Sequence, residues 1–406
     1  LGDVYKRQDL KWETTITRNI GVDFGFFNSR LTGTIDAYWN TTKDLLMKTA
    51  IPGITGFTST YANVGQTSNK GIEFALQGVL VKTRDWNVTA GFNINFNRGK
   101  VDKLADNVTG LYGTEWATSS TFPKSDYVLK EGRPVGLVRG LTADGFYTTD
   151  DFTYENGVYT LKEGVADVSS AVFPNYHLHN GMNERPAGQL AYPGMAKFKD
   201  LNDDGIINDD DVDVIGDMTP VHTGGFNINA TYKNFDLGLY FNWSYGNEIY
   251  NVNKLAALYG YKEGAVYENK LSIVKDCYKI YDVVNGELVA LTTPEQLNAA
   301  NANAKLPLAY SENGYVSTLG IEDGSYLRLN TLTLGYTLPK SMLQKAGISN
   351  LRVYGSIYNV FTITGYSGID AEVSTSTSTK TYPQLGMDWG TYPRARSFVL
   401  GVNLSF

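Results

Sequence analysis

Alternation of apolar and polar side chains marks the chain in its middle and at its end. "SFVLGVNLSF" sets Phe398, Leu400, Val402, Leu404 and Phe406 on one side of an extended backbone, with Val399, Gly401, Asn403 and Ser405 on the other. That period of two is the signature of a strand. "WNVTAGFNINFN" repeats it, with Trp86, Val88, Ala90, Phe92, Ile94 and Phe96 opposing Asn87, Thr89, Gly91, Asn93, Asn95 and Asn97. "GGFNINATY" and "FDLGLYFNWSYG" behave alike. The pattern predicts about nine strands: Thr15 to Phe26, Leu31 to Leu45, Lys70 to Leu80, Trp86 to Asn97, Gly225 to Tyr232, Phe235 to Tyr245, Tyr326 to Leu338, Leu351 to Thr362, and Arg394 to Phe406. Alternation falters near Asn330 in the seventh, which predicts a β-bulge.

A half-buried strand of a water-soluble sheet would also alternate. Several strands of this length, with aromatics near their ends, suit better a sheet whose outer face meets lipid. The connections alternate in length as well. "FNSR", "KTRD", "KN" and a compact "PKSMLQKAGISN" are short, whereas Met47 to Asn69, Lys100 to Thr223, Asn247 to Ser325 and Gly365 to Pro393 are long. Outer-membrane barrels have short periplasmic turns and long extracellular loops, so the long segments are expected to face outward. The amide rows Asn93, Asn95, Asn227 and Asn229 then line the lumen. The fold class expected is all-β, an antiparallel transmembrane β-barrel with long extracellular loops. In the third long loop, "TPEQLNAANA" offers Thr293 as N-cap, Pro294 at the first helical position and Gln296 three residues after the cap, which predicts a short helix.

Composition agrees, because 28 Tyr, 18 Phe and 42 Gly favour strands and turns. No apolar run of about 18 residues exists, which excludes a transmembrane helix but not a transmembrane strand. The net charge of −7, with a pI near 5.2, argues against a nucleic-acid partner, which needs a basic patch. Cys277, the single cysteine, cannot form an internal disulfide and is expected as a small buried residue. Residues 1–8, "LGDVYKRQ", have neither an initiator Met nor a signal-peptide stretch and stand outside the pattern; they are read as a leader that is either non-native or unassigned.

The candidate chemistry is sparse. In "DLNDDGIINDDD", Asp200, Asn202 and Asp204 hold positions 1, 3 and 5 of a calcium loop, and Gly205 supplies the turn at 6. Ile206 offers its carbonyl at 7, Asn208 stands at 9 and Asp211 at 12. Oxygen donors at this spacing wrap a hard cation such as Ca2+. The alternative is a solvated turn whose Asp and Asn side chains hold its own backbone. His177 and His179 share one side of an extended segment, a weaker metal pattern than an ordinary polar surface. Aromatic side chains in the long loops could stack on sugar rings or belong to an interfacial girdle; Tyr112, Trp116, Tyr366 and Trp389 are the ligand-contact candidates. No GxSxG elbow, HExxH pair or phosphate loop occurs, so no enzyme is expected.

Six segments carry a family resemblance: "DLKWETT" at Asp9, "NVGQTSNKGIEF" at Asn63, "KDLNDDGIIND" at Lys199, "YLRLNTLTLGYTLP" at Tyr326, "YNVFTITGYSGID" at Tyr358 and "YPRARSFVLGVNLSF" at Tyr392. In this order they make the chain resemble the C-terminal part, residues 9–406, of SusC/RagA-like TonB-dependent outer-membrane receptors, with the calcium-like loop inside the long loop 100–223. The sequence departs from the family at Ala371, where Pro often follows the Asp. The resemblance implies a plugged barrel of about 22 strands, located in the bacterial outer membrane. It further implies TonB-dependent import of oligosaccharides with a SusD-like surface lipoprotein as lid. The TonB complex would act through a plug not visible in this chain, and outer-membrane lipid would surround the strands. Peptide import and a non-transporting barrel adhesin are the alternatives.

Overall fold

The computed structural model describes residues 10–50, 59–63, 65–104, 108–173, 185–258, 271–309, 314–344, 347–375 and 384–406. The leader and both His177 and His179 lie outside the described residues. Nine long strands form one sheet: β1 Thr14–Phe26, β2 Leu31–Lys43, β3 Gln66–Lys82, β4 Trp86–Lys103, β5 His222–Tyr232, β6 Phe235–Tyr245, β7 Tyr326–Thr337, β8 Asn350–Thr364 and β9 Ser397–Ser405. Their order in the sheet is their order in the chain, and each pairs antiparallel with the next. All nine expected strands are present. β3 and β4 run several residues further toward the long loops than alternation alone indicated, and β9 begins at Ser397 rather than Arg394.

Register explains why alternation was so legible. Phe24, Gly33, Leu76, Phe92, Phe226, Phe241, Leu329 and Phe361 are successive cross-strand partners from β1 to β8, so apolar positions of different strands fall on one common face. A slip of one residue anywhere would send a whole strand's apolar set to the other side. The Phe226 and Phe241 rings stack with centroids 4.2 Å apart. The bulge is at Asn330, which both flanking ladders skip; its Nδ2 donates to Asn242 Oδ1 at 2.6 Å. The extra residue restores Leu332 and Leu334 to the face that Leu327 and Leu329 occupy.

No second layer of the described polypeptide covers this apolar face. Ile20 is 64 % exposed, Phe398 72 % and Leu400 89 %. A water-soluble sandwich would bury them, since each apolar side chain removed from water contributes about 1.5–3 kcal/mol. The opposite face carries Asn93, Asn95, Asn227 and Asn229; among these, Asn229 Nδ2 donates to Asn227 Oδ1 at 3.1 Å.

The buried core lies instead in the long connections. Tyr127, Tyr147, Tyr159, Tyr192 and Tyr250 are each at most 1 % exposed, and they join Leu141, Leu255, Leu297 and Val316 in one cluster. Segments from the second and third long loops, together with Met387 of the fourth, build it. A four-stranded sheet orders Val212–Asp217, Leu137–Leu141, Tyr127–Leu129 and Leu111–Gly113 within this body. Tyrosine suits such a core because its ring is apolar and its hydroxyl reaches a carbonyl at the edge. Tyr127 Oη donates to the Leu385 carbonyl at 2.8 Å and Tyr147 Oη to that of Ala166 at 2.6 Å. The expected helix is there as Pro294–Asn301, with Thr293 Oγ1 accepting from the Gln296 N–H and the Gln296 side chain reaching back. Cys277 is buried, and burial with the nearby Asp276 charge pushes its thiol up to about 11.

Candidate functional site

The loop body is fastened to the sheet at the end of β7. Arg328 is 3 % exposed, and its guanidinium donates from Nη2 to Asp370 Oδ1, from Nη1 to Glu372 Oε2 at 3.1 Å, and from Nε to Thr362 Oγ1 at 2.9 Å. Arg394 completes a neutral group of four, 3.6 Å from Asp370 and 2.8 Å from Glu372. A few residues away, Tyr366 Oη donates to Asp388 Oδ2 at 2.6 Å. Glu322 accepts from the Ser367 N–H and hydroxyl, both at 2.9 Å, and pairs with Lys254 at 3.1 Å. Burial alone would raise the Glu322 carboxyl, but the Ser367 hydrogen bonds and the Lys254 charge outweigh it and hold the group below its ordinary value.

A second fastening point is Asp126, wholly buried. Its carboxylate accepts the backbone N–H groups of Glu115, Trp116 and Ala117 at 2.8, 2.8 and 2.9 Å. Burial raises its pKa against the pull of those three donors. The arrangement pins residues 115–117, which carry one of the four aromatic candidates, Trp116.

Those candidates separate by environment. Tyr112 is 53 % exposed, with the Arg139 guanidinium 4.8 Å from its ring centroid. Trp389 is half exposed, its backbone N–H donating to Thr375 Oγ1 at 3.1 Å. Trp116 is partly buried against the main core. Tyr366 is only 6 % exposed and serves as a packing residue around which Ile249, Ala371 and Val373 gather; enclosed on its faces and bonded at its hydroxyl, its ring is not offered to a ligand. Sequence reasoning missed Arg139 altogether. Nothing in "VGLVRGL" sets that residue apart, because its surroundings come from chain segments far away.

The acidic loop is closed by its own backbone. Asp200 Oδ2 accepts from the Gly205 N–H at 2.7 Å, Asn202 Oδ1 from the Asp204 N–H at 3.2 Å and Asp204 Oδ1 from the Ile206 N–H at 2.9 Å. Gly205 holds φ of 84°, which the sharp turn requires. Asn208 Nδ2 donates to the Ile206 carbonyl at 3.2 Å. Asp211 is fully buried and uses both oxygens on the N–H groups of Leu201 and Asn208, at 2.7 and 2.8 Å. Among the described residues no group of three or more His, Cys, Asp or Glu side chains is gathered as a metal site.

Comparison with known proteins agrees with the architecture. The family model of the TonB dependent receptor-like β-barrel matches residues 2–360. The chain is 30 % identical to the TonB-dependent receptor P3 of Formosa agariphila over 99 % of its own length and 35 % of that protein. It is 29 % identical to the TonB-dependent receptor SusC of Bacteroides thetaiotaomicron, over 98 % of the chain and 32 % of the relative. The chain thus spans about a third of the length of the curated relatives it matches. Among solved structures it resembles that of the RagAB peptide transporter, with a TM-score of 0.68, 25 % identity, and coverage of 98 % of this chain and 36 % of that one. The nine registered strands, their bare apolar face and these likenesses have one reading: the chain belongs to the TonB-dependent receptor β-barrel family.

Proposed function

We propose that this chain supplies wall and extracellular body to a TonB-dependent importer of the bacterial outer membrane, taking up oligosaccharides together with a SusD-like surface lipoprotein. The observation that carries the membrane part is the apolar face shared in register by all nine strands and left uncovered. Lipid is the solvent in which such a face is stable, and every backbone group between paired strands is satisfied there. The tyrosine-rich body at the long-loop end then faces the outside. Exposed Tyr112 and Trp389 supply ring faces of the kind that stack on sugars. Energy would reach the barrel from the TonB complex through a plug, so the chemistry is conformational gating, without bond breaking.

A second reading is peptide import, favoured by the likeness to the RagAB peptide transporter over nearly the whole chain. Uptake of fluorescent oligosaccharides and peptides by cells carrying or lacking the intact receptor separates the two. Glycan accumulation that needs both the receptor and TonB is expected. Accumulation of peptides alone assigns the second reading, and uptake indifferent to TonB leaves a barrel that binds without importing.

A further inference from the structure

We propose that the cavity between residues 119–125, Arg139 and Ser170 is a subsite for a negatively charged sugar unit, one carrying a carboxylate or sulfate group. The proposal rests on the glycan reading above and narrows it to acidic oligosaccharides. The cavity measures about 420 Å³, within the usual range of small-ligand sites.

Arg139 is the reason to expect a negative charge. It sits on the strand Leu137–Leu141, whose Leu137, Val138 and Leu141 are wholly buried. Its guanidinium, half buried, lies against the Tyr112 ring at 4.8 Å and donates from Nη1 to Ser125 Oγ at 2.8 Å. No carboxylate lies within ion-pair distance of it among the described residues. A guanidinium has five N–H donors, and a partly buried charge is stable when an opposite charge meets it. Burial lowers the Arg139 pKa, and Tyr112 and then Asp209, the carboxylate on the cavity wall, offset only part of that lowering. Lys124 brings a second cation to the lining.

The remaining lining suits a sugar. Ser119, Ser120 and Ser170 line the cavity, and their hydroxyls make no hydrogen bond within the described residues, so donors and acceptors are available for ring hydroxyls. The wall is also held in place before any ligand arrives. Thr121 Oγ1 accepts from the Thr118 N–H at 2.8 Å and donates to the Thr118 carbonyl at 2.9 Å, and the Val316 N–H donates to the Phe122 carbonyl at 2.7 Å. Preorganisation of this kind lowers the entropy lost on binding.

Isothermal titration of the full-length receptor in detergent tests the subsite with three probes of equal length: oligogalacturonate, its uncharged methyl ester and a sulfated galactan oligosaccharide. One or both charged probes should bind more tightly than the ester, and Arg139→Met should remove about 10–100-fold of that affinity, the range of a hydrogen bond to a charged group. Lys124→Met, at an exposed position, should weaken the charged probe with no risk to folding, and neither variant should change binding of the ester. Which charged probe prevails tells carboxylate from sulfate. Equal binding of charged and neutral glycans, or an unchanged charge preference in both variants, overturns the subsite while leaving glycan import standing. If no glycan binds and peptides with a free C-terminal carboxylate do, both this proposal and the glycan reading fall.

Discussion

Replacing Arg328 by Met should free the fourth long loop from the sheet. The four charged groups around Arg328 sum to zero: Arg328 and Arg394 against Asp370 and Glu372. Their side-chain exposures are 4 % for Arg328 and 8 % for Asp370, but 35 % for Glu372 and 47 % for Arg394. Methionine fills much of the arginine stem's volume, so the loss is mainly electrostatic. Breaking a buried pair by removing one partner costs about 3–5 kcal/mol. Arg394 stays behind to face both carboxylates, though from a half-solvated position where its attraction is screened, so we take the lower end, about 3 kcal/mol. At about 1.4 kcal/mol per tenfold, local opening of residues 366–375 should become roughly 100-fold more frequent. Hydrogen exchange followed by mass spectrometry on the full-length receptor reads this directly. Adding Asp370→Asn to the methionine variant removes one charge of each sign and should recover most of the protection, leaving Arg394 with Glu372. If exchange in 366–375 is unchanged in the single variant, or if the double variant is worse than the single, the charges do not hold the loop.

Four further outcomes follow from the geometry. Thr293→Ala removes the side-chain oxygen that caps Pro294–Asn301 and should cost about 1 kcal/mol, seen as faster exchange confined to that helix; no local change would show that packing of Leu297 alone suffices. Leu400→Arg, on the bare face of β9, should cost about 2–4 kcal/mol for folding into lipid vesicles, whereas an unaffected yield would mean that lipid does not meet this face. The Glu322 carboxyl is held below its ordinary value of 4.5, so its contribution is present above that pH and is lost as pH falls through the lower folded-state value. An acid titration should therefore show the anchor at Ser367 releasing below about pH 4.5 in the parent, with Glu322→Gln already weakened at neutral pH and flat across the same window. We also propose that Asp200, Asn202, Asp204, Asn208 and Asp211 with the Ile206 carbonyl bind calcium, Asp211 turning from the Leu201 and Asn208 amides as it does so; a calorimetric titration of the full-length receptor without heat, or with equal heat in Asp200→Ala, refutes this.

The strands were legible because each is read twice by the same physics. Leu404 and Ile94 must alternate with polar neighbours along their own strands, and they must also meet apolar partners, Leu351 and Phe74, across the ladder, so sequence period and sheet register report one face. Even Asn330 announced itself, since an extra residue shifts the period by one and the eye catches the break. The loop body offers no such repetition. Its strands are two to six residues long, too short for a period to show, and Leu137–Leu141 is buried on both sides, which erases alternation. Tyr147 and Tyr159 close on carbonyls of Ala166 and Thr292, partners that only the folded chain brings near.

The same limit explains why aromatic content did not separate packed rings from exposed ones. Tyr112 and Tyr366 are the same side chain in equally polar, Gly-containing contexts, "GLYGTE" and "ITGYSG". What separates them is a partner elsewhere: Asp388 takes the Tyr366 hydroxyl and draws the ring inward, whereas Arg139 lies over the Tyr112 ring and leaves it half exposed. A carboxylate that accepts from a buried hydroxyl is satisfied by that bond and makes the tyrosine part of the scaffold. A guanidinium resting on a ring still has donors to give, so Arg139 keeps N–H groups for the cavity it lines while the Tyr112 ring beside it stays half exposed. In this loop body, then, the chemistry of a site is set less by which aromatic residues are present than by the sign of the charge that folding delivers to each.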